Sequence, residues 1–119
     1  MNNDADNLNY ILIHCREIEE TIDLFGNDET IFMENSTYQR ACSFSIAQIG
    51  ETVKRLSYEL TERYPEIRWS AIAGMRDVIN HGYYSINLSK VWFSVSEEVR
   101  PLRETCERIL SDISSNTFG

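Results

Sequence analysis

The sequence predicts an all-α fold, an antiparallel up-and-down bundle of four to five helices. Three observations predict it. Apolar residues recur at alternating spacings of three and four along most of the 119-residue chain. Nowhere do apolar and polar residues alternate in the manner of a strand. Glycines, prolines and capping side chains fall between the periodic stretches, where helices start and stop. The length suits one domain, residues 1–119, around one core.

The first helix is expected over residues 8–25, on the stripe Leu8, Ile11, Cys15, Ile18, Ile22 and Phe25, with Gly26 as its stop. Asp28 to Glu34 suits one short helical turn. Ser36 then suits the N-cap of a long helix with the stripe Cys42, Ile46, Ile49, Val53, Leu56 and Leu60, ended by Pro65. A third helix is expected from Trp69 to Asn80, with Ile72, Met75 and Ile79 inward and Gly82 just beyond. Asn87 can cap a short segment through Trp92. Ser96, followed by two glutamates, can open a last helix with the stripe Leu102, Cys106, Ile109 and Ile113. Pro101 is tolerated near the start of that helix, and a kinked continuous helix from 88 to 112 fits equally well.

Composition narrows the function classes. No apolar run is long enough to span a bilayer, and the N-terminus has neither the basic nor the apolar region of a secretory signal. The expectation is a cytoplasmic protein with no membrane partner. Cys15, Cys42 and Cys106 each sit on an apolar stripe, so they are expected to be buried thiols in a reducing compartment. Two histidines and no Cys/His cluster give no basis for a metal, and no glycine-rich phosphate loop is present, so no cofactor is expected. His14 lies beside the first stripe and reads as a partly exposed residue.

The net charge of −8 argues against a nucleic-acid partner until its distribution is considered. Residues 1–38 hold nine acids and one base, and the remaining 81 residues balance. From Lys54 to Arg76 five bases face three acids, which permits a phosphate ligand nearby. The acidic first helix suits a solvated face or a docking surface for a basic partner.

The chemically richest stretch is "GMRDVINHGYY", residues 74–84, with Arg76, His81 and Tyr83 as its candidates. On an unbroken helix Arg76 and His81 would point about 140° apart. Arg76 is in line with Asn80 and nearly so with Tyr83. His81 reaches them only where the helix loosens, and Gly82 supplies a place for that. The plainer alternative has His81 capping carbonyls while Arg76 pairs with Asp77 or a neighbouring acid.

"GMRDVINHGYYSINLSKVW" resembles the signature of the HepT-like branch of the HEPN-domain proteins, in which an arginine, four to six residues, a histidine, any residue and a tyrosine follow one another. Here these are Arg76, His81 and Tyr83. "IGETVKRLSYELTERYPEIRWSAIAGMR", residues 49–76, is also similar, with Gly50-Glu51, Pro65, Trp69 and Gly74-Met75 in place, and Trp92 beyond it. The likeness runs over roughly residues 8–113. It implies a metal-independent ribonuclease, the toxin of a toxin–antitoxin pair. Its antitoxin would be a nucleotidyltransferase of the MntA type that attaches AMP to the motif tyrosine. Tyr83 matches that position, with Tyr84 the alternative. Asn80 stands where such sequences often carry an aliphatic residue, as a candidate contact to substrate or support for the site.

The chemistry of that reading assigns roles. RNA supplies its own nucleophile, the 2′-hydroxyl. His81 would act as base when neutral or acid when protonated, and Arg76 would hold the phosphate oxygens, giving a 2′,3′-cyclic phosphate. One imidazole cannot do both jobs in one step, so a homodimer with two copies of Arg76 and His81 in one cleft is expected. Two rivals remain: a non-catalytic bundle that binds the nucleotidyltransferase and is modified by it, and a plain helical dimerisation module.

Overall fold

A computed structural model of the chain describes residues 3–80 and 87–116, leaving aside the side chains of Val78, Asn80 and Asn116. Seven helices follow one another among these residues: α1 (Asp4–Phe25), α2 (Glu29–Glu34), α3 (Ser36–Val53), α4 (Tyr58–Arg63), α5 (Trp69–Asn80), α6 (Leu88–Phe93) and α7 (Val99–Asn116). No strand occurs among them. The expected all-α bundle is what the chain forms.

α3 is the central helix, packed along both α1 and α5, while α1 also packs along α7. Register shows the directions. Tyr10 meets Gln48, His14 meets Ser45 and Phe25 meets Tyr38, so α1 and α3 run antiparallel. Arg103 meets Glu19 and Arg16 meets Glu107, so α1 and α7 are antiparallel as well. All the expected stripes point inward: Leu8, Ile11, Cys15 and Ile18 meet Cys42, Ile46, Ile49 and Val53, and Leu102, Cys106 and Ile109 close the core. At one end Phe25, Phe32, Tyr38 and Trp92 form an aromatic cluster. The buried Tyr38 hydroxyl donates to the Gly26 carbonyl at 3.0 Å, so the ring's one polar atom is satisfied.

Helix ends follow local chemistry with two corrections. Gly26 ends α1 at φ +116°, a backbone region that favours glycine. Asp28 caps α2 through Thr30 and Ile31, and Asn87 caps α6 through Lys90. The cap of α3, however, is Asn35 and not Ser36: the Asn35 side chain accepts from the Tyr38 N–H at 3.0 Å, and Ser36 is the first helical residue. The long helix expected from Ser36 to Leu60 is also broken. α3 stops at Val53, its last turn tightens through Arg55 N–H to Thr52 O and Leu56 N–H to Val53 O, and Ser57 starts α4. Leu56 and Leu60 are buried all the same.

A local cap and a tertiary contact meet at the break. Asp4, at the start of α1, accepts from the Ser57 backbone N–H at 2.9 Å and from the Ser57 hydroxyl at 2.5 Å. The Ser57 hydroxyl in turn accepts from the Leu60 N–H. Hydrogen bonds to a carboxylate of this kind are roughly twice as strong as neutral ones, and they hold the capping Ser57 in place at the start of α4.

Between the two forms left open for the C-terminal half, the continuous one is found. α6 runs into a wide, π-type turn at Ser94–Glu98 and then directly into α7, with the Val99 N–H reaching back to the Ser94 carbonyl. Pro101 follows this turn. A proline ring crowds the carbonyl four residues back and supplies no N–H to it, and the wide turn lies where that crowding falls.

The three cysteines are buried, as expected, and desolvation raises all three thiols, Cys42 and Cys106 to about 12. His14 is a correction. It is buried, 5% exposed, rather than partly exposed. Its Nδ1 lies 3.4 Å from the Ser45 hydroxyl and 3.6 Å from the exposed Glu17 carboxylate, and the rings of Tyr10 and Phe44 meet it edge-on. Burial lowers its pKa, and Glu17 opposes this more weakly. Because the folded pKa lies below the unfolded one, the unfolded chain binds the extra proton first. Stability is therefore expected to fall as pH drops below about 6.5, the unfolded value. Thermal melting across that range should show wild type losing stability relative to His14→Gln. A rise in relative stability on acidification would mean that Glu17 dominates instead.

Candidate active site

The site is built where α3 and α5 cross. Gly50 has no side chain, and a Cβ there would lie 2.9 Å from the Ile72 carbonyl oxygen and 3.2 Å from the Arg76 backbone nitrogen. Real Cβ atoms do not approach backbone so closely, so only glycine lets α5 lie this near to α3. Ile72 packs into the core on the inner side of this contact, and Arg76, one turn further along α5, stands at its edge.

The residue after that glycine holds the arginine. Arg76 Nε lies 2.9 Å from Glu51 Oε2, and that oxygen is buried with no hydrogen bond of good alignment, so charge pairing is what it has. Arg76 Nη1 also lies 3.4 Å from Asp77 Oδ1. Asp77 is shared: Lys54, just past the end of α3, lies 3.5 Å away and, ahead of Arg76, holds the Asp77 carboxyl below the usual carboxylate range. Arg76 thus has a close charge partner at Nε in Glu51, with one carboxylate oxygen buried, and a long hydrogen bond from Nη1 to the exposed Asp77. Its side chain is 38% exposed. An incoming phosphate can replace Asp77 on the terminal nitrogens while Glu51 keeps the guanidinium plane oriented.

Arg76 is therefore placed at the α3–α5 seam, and the plain expectation that it would pair with Asp77 or a neighbouring acid is met by both. Asn80 is the last residue of α5. His81, Tyr83 and Tyr84 lie outside the described residues. Sequence reasoning passed over the physical job of Gly50-Glu51. A glycine inside a helical stripe costs stability relative to alanine, so it invites a search for a packing or functional reason, but the spacing alone does not say which. The turn before α5 is fixed in the same manner: the Trp69 indole N–H donates to the Tyr64 carbonyl at 2.9 Å across Pro65. Tyr64 and Glu66 bond in turn to Asp112 and Arg108 of α7. Among the described residues no three His, Cys, Asp or Glu side chains converge to hold a metal, and no helix is long and apolar enough to cross a membrane.

Fold and seam together define a class: a small all-helical domain that presents an oriented guanidinium at the crossing of two helices. Comparison with known proteins then gives the family. The model of the family described as "Ribonuclease HepT-like" matches residues 11–109. A protein of Caldanaerobacter subterraneus subsp. tengcongensis named "Putative RNase" is 31% identical over 103 residues, covering 87% of this chain and 90% of the relative. One of the same description from Methanocaldococcus jannaschii is 34% identical over 91 residues, 75% of each chain. The "Probable ribonuclease HepT" of Thermococcus cleftensis is 26% identical over 101 residues, 81% of this chain and 92% of the relative. No solved structure matches significantly. The chain belongs to the HepT-like ribonuclease family.

Proposed function

We propose that this protein is a metal-independent endoribonuclease, the toxin of a toxin–antitoxin pair, in which Arg76 and His81 cleave RNA. The observation that carries the reading is the Glu51-held Arg76 at the α3–α5 seam, five residues ahead of His81, in a chain of the HepT-like ribonuclease family. Arg76 binds the non-bridging oxygens of the scissile phosphate. His81 takes the proton of the 2′-hydroxyl as that oxygen attacks phosphorus. The bond to the 5′-oxygen breaks, and a protonated His81 from a second copy donates the proton that the leaving oxygen needs. The products are a 2′,3′-cyclic phosphate and a free 5′-hydroxyl. This division of labour requires a homodimer.

Silencing belongs to the same reading. A nucleotidyltransferase antitoxin transfers AMP from ATP to the Tyr83 hydroxyl, releasing pyrophosphate. The new phosphodiester competes for Arg76 and the adenosine occupies space that RNA needs.

The experiment is cleavage of bulk RNA by the purified protein in EDTA. Activity should persist in the chelator and be lost separately in Arg76→Ala and His81→Ala, with a cyclic phosphate at the new 3′ end. Intact RNA under these conditions would leave the rival, a non-catalytic bundle that the nucleotidyltransferase binds and modifies. Incubation with that partner and ATP should add one AMP by mass. A gain that survives Tyr83→Phe but not Tyr84→Phe would move the modification to Tyr84.

A further inference from the structure

The crossing of α3 and α5 carries two glycines, one on each helix. Gly50 on α3 faces α5 and is explained by the close approach just described. Gly74, inside α5, is not: a Cβ there would meet nothing within 4 Å. Glycine in a helix interior costs roughly 1 kcal/mol relative to alanine. Among the described residues, then, no packing contact accounts for this one. Its bare backbone forms part of an open groove of about 530 Å³ between α5 and α6, together with Ala71, Met75 and Phe93.

The groove has an apolar floor and a basic rim. Phe93 is 52% exposed, a large aromatic left in water. Arg68 and Lys90 stand at the rim with one acid, Glu98. Arg68 is 69% exposed and reaches Glu98 only at 3.8 Å. Lys90 makes no ion pair with a described residue. In a chain of net charge −8, Lys90 and a loosely paired Arg68 beside an open aromatic face and a bare helix backbone suit an anionic ligand that can also stack.

We propose that this groove is a binding site for single-stranded RNA flanking the scissile bond, with a base stacked on Phe93 over Gly74 and phosphates paired with Lys90 and Arg68. The proposal rests on the ribonuclease reading above and adds to it where the strand runs. An aromatic face combined with cations along a track is how single strands are held without sequence preference. Gly74 leaves room for the base or sugar to lie against the helix. A second copy of this chain is the competing occupant of the floor, and molar mass in sedimentation separates it from RNA.

The test measures anisotropy of a labelled single-stranded RNA of about 12 nucleotides, with His81→Ala protein as the uncleaving parent. Cleavage rates are measured in parallel in the wild-type background. Phe93→Ala should weaken binding about tenfold. Lys90→Gln should weaken it and lower the salt slope by about one. Gly74→Leu should block the groove, whereas Gly74→Ala should stay folded and leave a shallower one. Melting curves separate loss of fold from loss of binding, and Lys90→Gln, a rim change only, keeps the test independent of Phe93.

Wild-type affinity and cleavage in Lys90→Gln and Gly74→Leu would overturn the groove while leaving the ribonuclease reading intact. Should Gly74→Leu instead halve the molar mass in sedimentation with RNA affinity per subunit unchanged, the groove is an interface between copies and the proposal fails. If the parent protein neither binds nor cuts RNA, the ribonuclease reading falls, and the groove proposal with it.

Discussion

Arg76→Ala is expected to lower RNA cleavage by about 10²–10³-fold, the usual effect of deleting one preorganised charge that faces a developing oxyanion. The loss should lie in kcat more than in KM, because the guanidinium gains most as charge builds on phosphorus. Arg76→Lys should recover little of it. An ammonium keeps the charge but not the planar fork, and it cannot bond Glu51 through one edge and phosphate through the other. Glu51→Gln offers an intermediate case. The amide keeps the size of the side chain, but without its charge the guanidinium is free to swing toward Asp77 at 3.4 Å. The rate should fall about tenfold with the fold intact, the arginine being mis-set rather than missing. Initial rates on a fluorogenic RNA, measured alongside melting temperatures, check the series. If Arg76→Ala cleaves within about twofold of wild type while folded, Arg76 is not catalytic.

The second large effect is on stability and comes from one methyl group. Gly50→Ala would place a Cβ 2.9 Å from the Ile72 carbonyl oxygen and 3.1 Å from the Arg76 Cβ, and neither helix backbone can yield without shifting the other. Overpacking of this kind typically costs about 1–3 kcal/mol. Helix propensity pulls the opposite way by up to about 1 kcal/mol, so the net sign is itself informative. Gly50→Val should be worse and should displace Arg76 as α5 moves off α3, losing activity as well as stability. Gly74→Ala is the matched control, a glycine of the facing helix with nothing within 4 Å of its added carbon. It should stabilise by roughly 0.5–1 kcal/mol. Urea denaturation of the three variants reads both signs. A stable Gly50→Ala would mean that the seam is not close-packed.

These two glycines show how far the sequence could be read. Both stand in apolar helical stretches and neither announces its purpose. Gly50-Glu51 was noticed for its resemblance to a family pattern, but its physical work, a close helix crossing with a carboxylate set against Arg76, follows only from where α5 lies. His14 is a similar case. It lies next to the α1 stripe, where spacing permits half-exposure, and it is buried because Tyr10 and Phe44 close over it from two helices. The start of α5 at Trp69 and the cap of α6 at Asn87 were legible, since they depend on residues within one turn.

By itself, the sequence determined the helical class, the stripes that form the core and the burial of Cys15, Cys42 and Cys106, because periodicity and hydrophobic burial act along one helix at a time. It also determined the spacing that sets Arg76 five residues before His81. Only the tertiary structure decided that the helix after Ser36 breaks at Val53, because Ser57, which caps the next helix, is itself held by Asp4, more than fifty residues away. It alone also decided that Arg76 is oriented by Glu51, for that contact exists only where two helices can touch at a glycine.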